Sequence, residues 1–477
     1  MNAILAKLLR RLIRSQLQRS SPQKLLKLGE KKLLRSFHRA AQFSPAYQTL
    51  LAESSVQASQ VRTPADFAQL CPLLEKTNTF RRFPIEQLIV ANTKLADLAS
   101  ILTSSGHGQG GYALGISTRN QYNSTPFLID LGLDLAFNVD SRRTLLINCL
   151  PMGVTFQSKA LCVANVSVRE DMACAIVKQT GHLFEQIILC GDPLFLKRLC
   201  DYSEELRLDW ARYKMNVIIG EETFTESFRD YLAASLAINL SDANSGLIGS
   251  SMGVGELGLN LFNETRESIA IRRACVKNKT LLQDLMGDIS SQAPLPTLLC
   301  FNPLRTYVEV VNRDASGNGD LVVSVLDTAA PVPLMRYKTG DRAKLIDADH
   351  LAQVLQKSIL GLTAPALPLI ALLGRSKDML PGNWHVDHFK QVLYNNPNVA
   401  RECSGAFRLS QREDGLLWEV QLRLDCPADP MLLADALSAD LVLLGKEGAA
   451  KVHCLSYEKF PYGKTLDYER KFVYCSA

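Results

Sequence analysis

Short apolar runs alternating with helical patterns constrain this chain more than any other feature of its sequence. Leu145 to Leu150, Gln186 to Cys190, Asn216 to Ile219, Leu321 to Leu326 and Leu369 to Leu373 are rich in Leu, Val and Ile and too short for helices of a core. Pro193 to Tyr202 and Thr225 to Leu236 lie between them with helical spacing. Strands without polar alternation are buried on both faces, so the pattern predicts an α/β body. After Arg375 the pattern changes. Trp418 to Leu424 alternates like a strand and Pro430 to Leu444 has helical spacing, predicting a smaller α+β segment with a joint near Lys377.

At 477 residues the chain has room for two or three domains. Its 47% hydrophobic and 21% charged residues are those of an ordinary globular protein. The twelve cysteines fall into no metal-binding spacing. Without a secretory signal they read as reduced, mostly buried thiols of a cytoplasmic protein. The longest apolar stretch, Ile359 to Leu373, is short and broken by Pro365 and Pro368, so no span of a bilayer is expected.

Charge is concentrated at one end. Residues 1–40 hold eleven Lys or Arg against the single acid Glu30, a balance of +10. The whole chain is +5, which leaves −5 for the remainder and disfavours nucleic acid as a partner of the body. Leu5, Leu8, Leu9, Leu12, Ile13 and Leu17 recur at helical spacing, and Leu25, Leu26, Leu33, Leu34 and Phe37 continue after Ser20, Ser21 and Pro22. The first expectation is a pair of helices on the main domain with Arg and Lys on the wet face. A basic amphipathic segment on a membrane surface or a partner is the second, and a transit peptide the third.

Five clusters carry candidate chemistry. Thr103 to Gly111 contains Ser104, Ser105, Gly106 and His107, donors and glycines that suit a phosphate, although the P-loop pattern is absent and a plain surface loop fits as well. Gly249 to Glu256 ends a glycine-rich bend on one carboxylate, enough for Mg²⁺ or for a solvated turn. Asp341, after Gly340, suits ribose hydroxyls or a simple β-turn. Arg375 has the planar fork for phosphate or ribose oxygens, or for a surface ion pair. Lys464, after Gly463, is a mobile point charge fit to neutralise a reacting carboxylate and phosphate, or merely a solvated lysine.

Together these blocks resemble the adenylate-forming superfamily of acyl-CoA synthetases, most closely its phenylacetate-CoA ligase-like branch. The resemblance runs from Ser44-Pro45-Ala46-Tyr47 and Pro72-Leu73-Leu74-Glu75-Lys76 to Gly463-Lys464, with Leu334 to Asp341 the most specific match. Joined to the charge and apolar spacing that mark a basic helical arm (1–60), it implies a large adenylation domain (61–374) and a small mobile C-terminal domain (375–477). Ile218 to Glu222, with Thr225 and Glu226, looks like the adenine-side loop, which puts Gly220 and Glu221 on the nucleotide. Asp341 is implied as ribose ligand, Arg375 as nucleotide contact, Lys377 as hinge, Glu256 as magnesium ligand and Lys464 as the adenylation lysine.

The implied activity uses ATP and Mg²⁺ to convert an aryl or acyl carboxylic acid to an acyl adenylate, which passes to CoA or to the phosphopantetheine of a carrier protein. Two departures stand out. Where the family has further hydroxyls, this chain has His107 and Gly108, and Met252 replaces the aromatic before the glycine of the magnesium motif. The competing expectation is a catalytically weakened relative that binds a nucleotide or acyl group inside a biosynthetic complex.

Overall fold

The structure is a computed structural model. It describes residues 3–103, 112–151, 153–287, 293–375, 378–380, 384–413, 415–443, 450–462, 468–469 and 471–475. The chain divides into two compact units, the first of residues 1–136, 251–288 and 296–376, the second of 137–250, 289–295 and 377–477.

The first unit opens with helices Ala3–Arg19 and Pro22–Phe43, broken at Ser20 and Ser21 as the sequence predicts. Ser21 accepts from the Lys24 N–H and Pro22 sits where a missing N–H is harmless, so the second helix starts there. The same logic starts Pro45–Glu53: Ser44 caps the Tyr47 N–H and Pro45 follows. Strands Gly258–Asn263, Thr297–Phe301, Leu369–Arg375, Tyr337–Ile346, Gly319–Val325 and Thr306–Val311 pair antiparallel in that order. Leu98–Thr103 and Leu114–Thr118 form a separate hairpin. Phe37 and Phe67 meet edge to face at 5.6 Å under these strands, in a core that includes Leu299, Val323 and Ile370.

The first helix departs from expectation. Its arginines were to face water, yet Arg10 is buried and pairs with Asp130 at 3.4 Å, while Arg14 pairs with Asp134 at 2.9 Å. The second helix follows the predicted pattern, exposing Lys24, Lys27, Lys31, Lys32 and Arg35.

The second unit holds a parallel arrangement in the order Cys162–Asn165, Thr144–Asn148, Gln186–Gly191, Met215–Ile219, with residues 248–250 beside the last. Helices Pro193–Glu205 and Glu226–Ser235 fall where the sequence places them. The α+β segment is also present: Cys403–Arg412 and Gly415–Leu422 pair antiparallel, Ala450–Leu455 joins in parallel, and helices Val386–Asn395 and Pro430–Leu443 accompany them. Phe389, Phe407 and Trp418 share one core with Phe195 and Phe228. All twelve cysteines are free, and eight are buried.

Candidate active site

Glu256 stands in the turn between Ile248–Val254 and Gly258–Asn263, and its carboxylate is unevenly satisfied. Tyr337 Oη donates to Oε1 at 2.6 Å, and Lys76 Nζ lies 3.6 Å from the same oxygen. Oε2 is buried with no hydrogen-bond partner among the described residues. An orphaned buried carboxylate oxygen is costly unless a donor or cation meets it. The residue therefore fits Mg²⁺, which takes one or two protein carboxylates and completes its shell with phosphates and water. No cluster of three metal-ligating side chains occurs among the described residues.

Local pairing explains how these three groups meet. Leu74 N–H donates to the Arg336 carbonyl and the Lys338 N–H donates to the Leu74 carbonyl, each at 2.9 Å. This bridge lays the segment 72–76 along the start of strand Tyr337–Ile346, setting Lys76 at Glu256 and Glu75 at Lys338 Nζ, 3.1 Å away. Burial, and then the Glu256 charge, push the Tyr337 phenol well above its ordinary pKa, so it remains a donor. Neither Tyr337 nor Lys76 was singled out as a site residue from the sequence, although both lie in the quoted motifs. Their separation along the chain hid the contact.

Asp341 and Arg375 are direct neighbours across strands Tyr337–Ile346 and Leu369–Arg375. Arg375 Nε lies 3.5 Å from Asp341 Oδ1. Gly340 precedes with φ +85, a left-handed conformation that favours glycine, and a Cβ there would meet nothing within 4 Å. The Thr339 hydroxyl accepts from the Asp341 N–H at 3.2 Å. The turn-like geometry expected at Gly-Asp thus occurs inside a strand.

The hairpin Leu98–Thr103 and Leu114–Thr118 flanks the phosphate-loop candidate. A Cβ on Gly115 would lie 2.3 Å from the Gly255 carbonyl oxygen, so the hairpin rests directly on the Glu256 turn. Ser104, Ser105, Gly106 and His107 lie outside the described residues, as do Lys377 and Lys464.

Gly220 and Glu221 belong to the second unit, just past the carboxyl end of parallel strand Met215–Ile219. That end is where open α/β sheets bind ligands. Glu221 adopts φ +69 and pairs with Lys471 at 2.8 Å. Glu222 accepts from Lys390 Nζ and from Tyr474 Oη, both at 3.1 Å. Burial alone would lower the Lys390 pKa, but the Glu222 and Asp387 carboxylates outweigh it and raise it. Lys390, Lys471 and Tyr474 were not anticipated, because no motif marks the C-terminal partners of a loop so distant in sequence.

No protein-family model and no curated protein matches the sequence. Solved structures do. 2-Hydroxyisobutyryl-CoA ligase in its postadenylation state with 2-HIB-AMP superposes with a TM-score of 0.67 at 13% identity, over 95% of this chain and 89% of that one. This chain has the fold of that ligase. The same ligase with R3-HIB-AMP gives 0.66 at 13% identity over the same shares. With 2-HIB-AMP and CoA in the thioesterification state it gives 0.54 at 14% identity, again over 95% and 89%. These neighbours are adenylate-forming ligases, and at such identity the likeness establishes the shared fold.

Proposed function

We propose that this protein is an AMP-forming ligase that activates a carboxylic acid, aryl or acyl, with ATP and passes the acyl group to a thiol, either CoA or a carrier-protein phosphopantetheine. The observation that carries the reading is Glu256, a buried carboxylate with one oxygen held by Tyr337 and the other without a partner among the described residues. A buried carboxylate oxygen without a donor is costly, and a cation at that oxygen would offset the cost. Mg²⁺ at Glu256 would supply positive charge against the triphosphate.

The chain's own groups take the remaining roles. Asp341 accepts the ribose hydroxyls, and Arg375, beside it, binds the nucleotide through its fork. Gly220 and Glu221 line the adenine side, and Ser104, Ser105, Gly106 and His107 donate to the phosphates. Lys464 neutralises charge as the substrate carboxylate attacks the α-phosphorus and pyrophosphate leaves. Residues 375–477 act as the small domain, turning at Lys377 before thiol capture, with 61–374 as the adenylation domain and 1–60 as the basic arm.

Hydroxylamine trapping tests this reading. Incubation with ATP, Mg²⁺, hydroxylamine and a panel of acids should yield an acyl hydroxamate from one acid class, and Glu256→Gln should lose it. Folded protein that yields no hydroxamate from any acid would contradict the reading.

A further inference from the structure

The first helix, Ala3–Arg19, is amphipathic in the inverse sense for a helix lying on a protein body. Its inward side holds Ala6, Arg10 and Leu17, exposed by only 2%, 2% and 3%. The buried Arg10 guanidinium lies 5.8 Å from the Phe127 ring centroid and pairs with Asp130, and one turn on Arg14 pairs with Asp134. At 100° per residue, the opposite arc of roughly half the circumference carries Ile4, Leu5, Leu8, Leu9 and Leu12. These are exposed by 70%, 58%, 52%, 39% and 63%, and Arg11 and Arg19 share their arc.

Hydrophobic burial alone would choose the opposite rotation. Turning the helix by half a revolution would bury five large apolar side chains and free two arginines from costly desolvation. The matched spacing of Arg10 and Arg14 with Asp130 and Asp134 works against that rotation as a register key, and the leucines stay outside. Such an arrangement has a purpose when the apolar arc has another partner.

We propose that this outward face is an interfacial anchor that lies on an anionic lipid bilayer, with the leucines at the acyl boundary and Arg11 and Arg19 at the phosphates. Charge selects this occupant. Residues 1–40 carry a balance of +10, and the second helix exposes Lys24, Lys27, Lys31, Lys32 and Arg35. A second copy docking by the same face would set like charge against like, whereas anionic headgroups complement it. Apolar side chains along a 17-residue helix with cations in the same arc also suit a surface that can envelop a convex face. No helix among the described residues is long and apolar enough to cross a membrane, so this attachment is peripheral.

Co-sedimentation of the full chain with vesicles tests the proposal. Binding is expected to mixed phosphatidylcholine–phosphatidylglycerol vesicles and to weaken with salt, with little binding to phosphatidylcholine alone. Leu8→Ser with Leu12→Ser should lower partitioning at least about tenfold. Arg11→Glu with Arg19→Glu should reduce both binding and its salt dependence. Both variants should keep the wild-type melting temperature and the hydroxamate yield in solution, because the altered side chains are solvent-exposed. Absence of vesicle binding, or equal binding by the leucine variant, would overturn the proposal. Light scattering that reveals a dimer lost in the leucine variant, without vesicle binding, would overturn it in favour of a second copy.

Discussion

The Tyr337 phenol and the Glu256 carboxylate, 81 positions apart in the chain, form a 2.6 Å hydrogen bond inside the first unit. Tyr337 is 1% exposed and Glu256 7%, so neither group has much water to fall back on. The bond holds one carboxylate oxygen, and the other has no hydrogen-bond partner among the described residues.

Tyr337→Phe should therefore do two things. Loss of a buried bond to a charged acceptor should cost about 1.5–3 kcal/mol of stability, read from chemical denaturation. The Mg²⁺ concentration for half-maximal hydroxamate formation should also rise, because the carboxylate loses the group that orients it. A stability loss with unchanged Mg²⁺ dependence would make Tyr337 purely structural.

Gly115→Ala should damage the same place from the other side. Its Cβ would lie 2.3 Å from the Gly255 oxygen, which is backbone and yields only if the turn shifts. Overpacking of this kind costs about 1–3 kcal/mol. Activity should fall further than stability, which a comparison of hydroxamate yield with melting temperature would reveal.

Lys390 predicts an alkaline limit. Its native pKa lies above the ordinary 10.5, so the folded state holds the proton more tightly than the unfolded chain. The resulting stabilisation is fully present below 10.5 and is lost as pH rises through the native value. Glu222→Gln removes one source of the shift and should flatten the fall in denaturation midpoint above that pH, leaving neutral behaviour less affected.

Arg10→Met should be among the more damaging changes in the basic arm. Asp130 is 0% exposed and would lose this guanidinium, and breaking a buried pair in this way costs about 3–5 kcal/mol. Adding Asp130→Leu should recover most of the loss, which the melting temperatures of the single and double variants would decide.

Much of this architecture was legible because it is written locally. Runs such as Gln186 to Cys190 and Leu369 to Leu373 have no polar alternation, and they are buried strands. Ser20, Ser21 and Pro22 interrupt the apolar stripe, and the second helix begins there. The rotation of the first helix was not legible, since its spacing fits either face and only Asp130 and Asp134, more than a hundred residues away, decide it. The partners of Glu256 were hidden for the same reason. Lys76 arrives through the Leu74 bridge and Tyr337 from a strand, and no spacing rule joins three such segments. The pairing of Glu222 with Lys390 and Tyr474 likewise depends on the way 377–477 packs within its unit.

The most direct test is ATP–pyrophosphate exchange with the purified full chain across aryl and fatty acids, with Lys464→Ala as control. Exchange that depends on one acid class and disappears in the variant is the predicted result, and it would name the substrate class as well as the reaction. No exchange with any acid, from folded protein that still binds ATP, would contradict adenylation and leave a nucleotide-binding relative in its place.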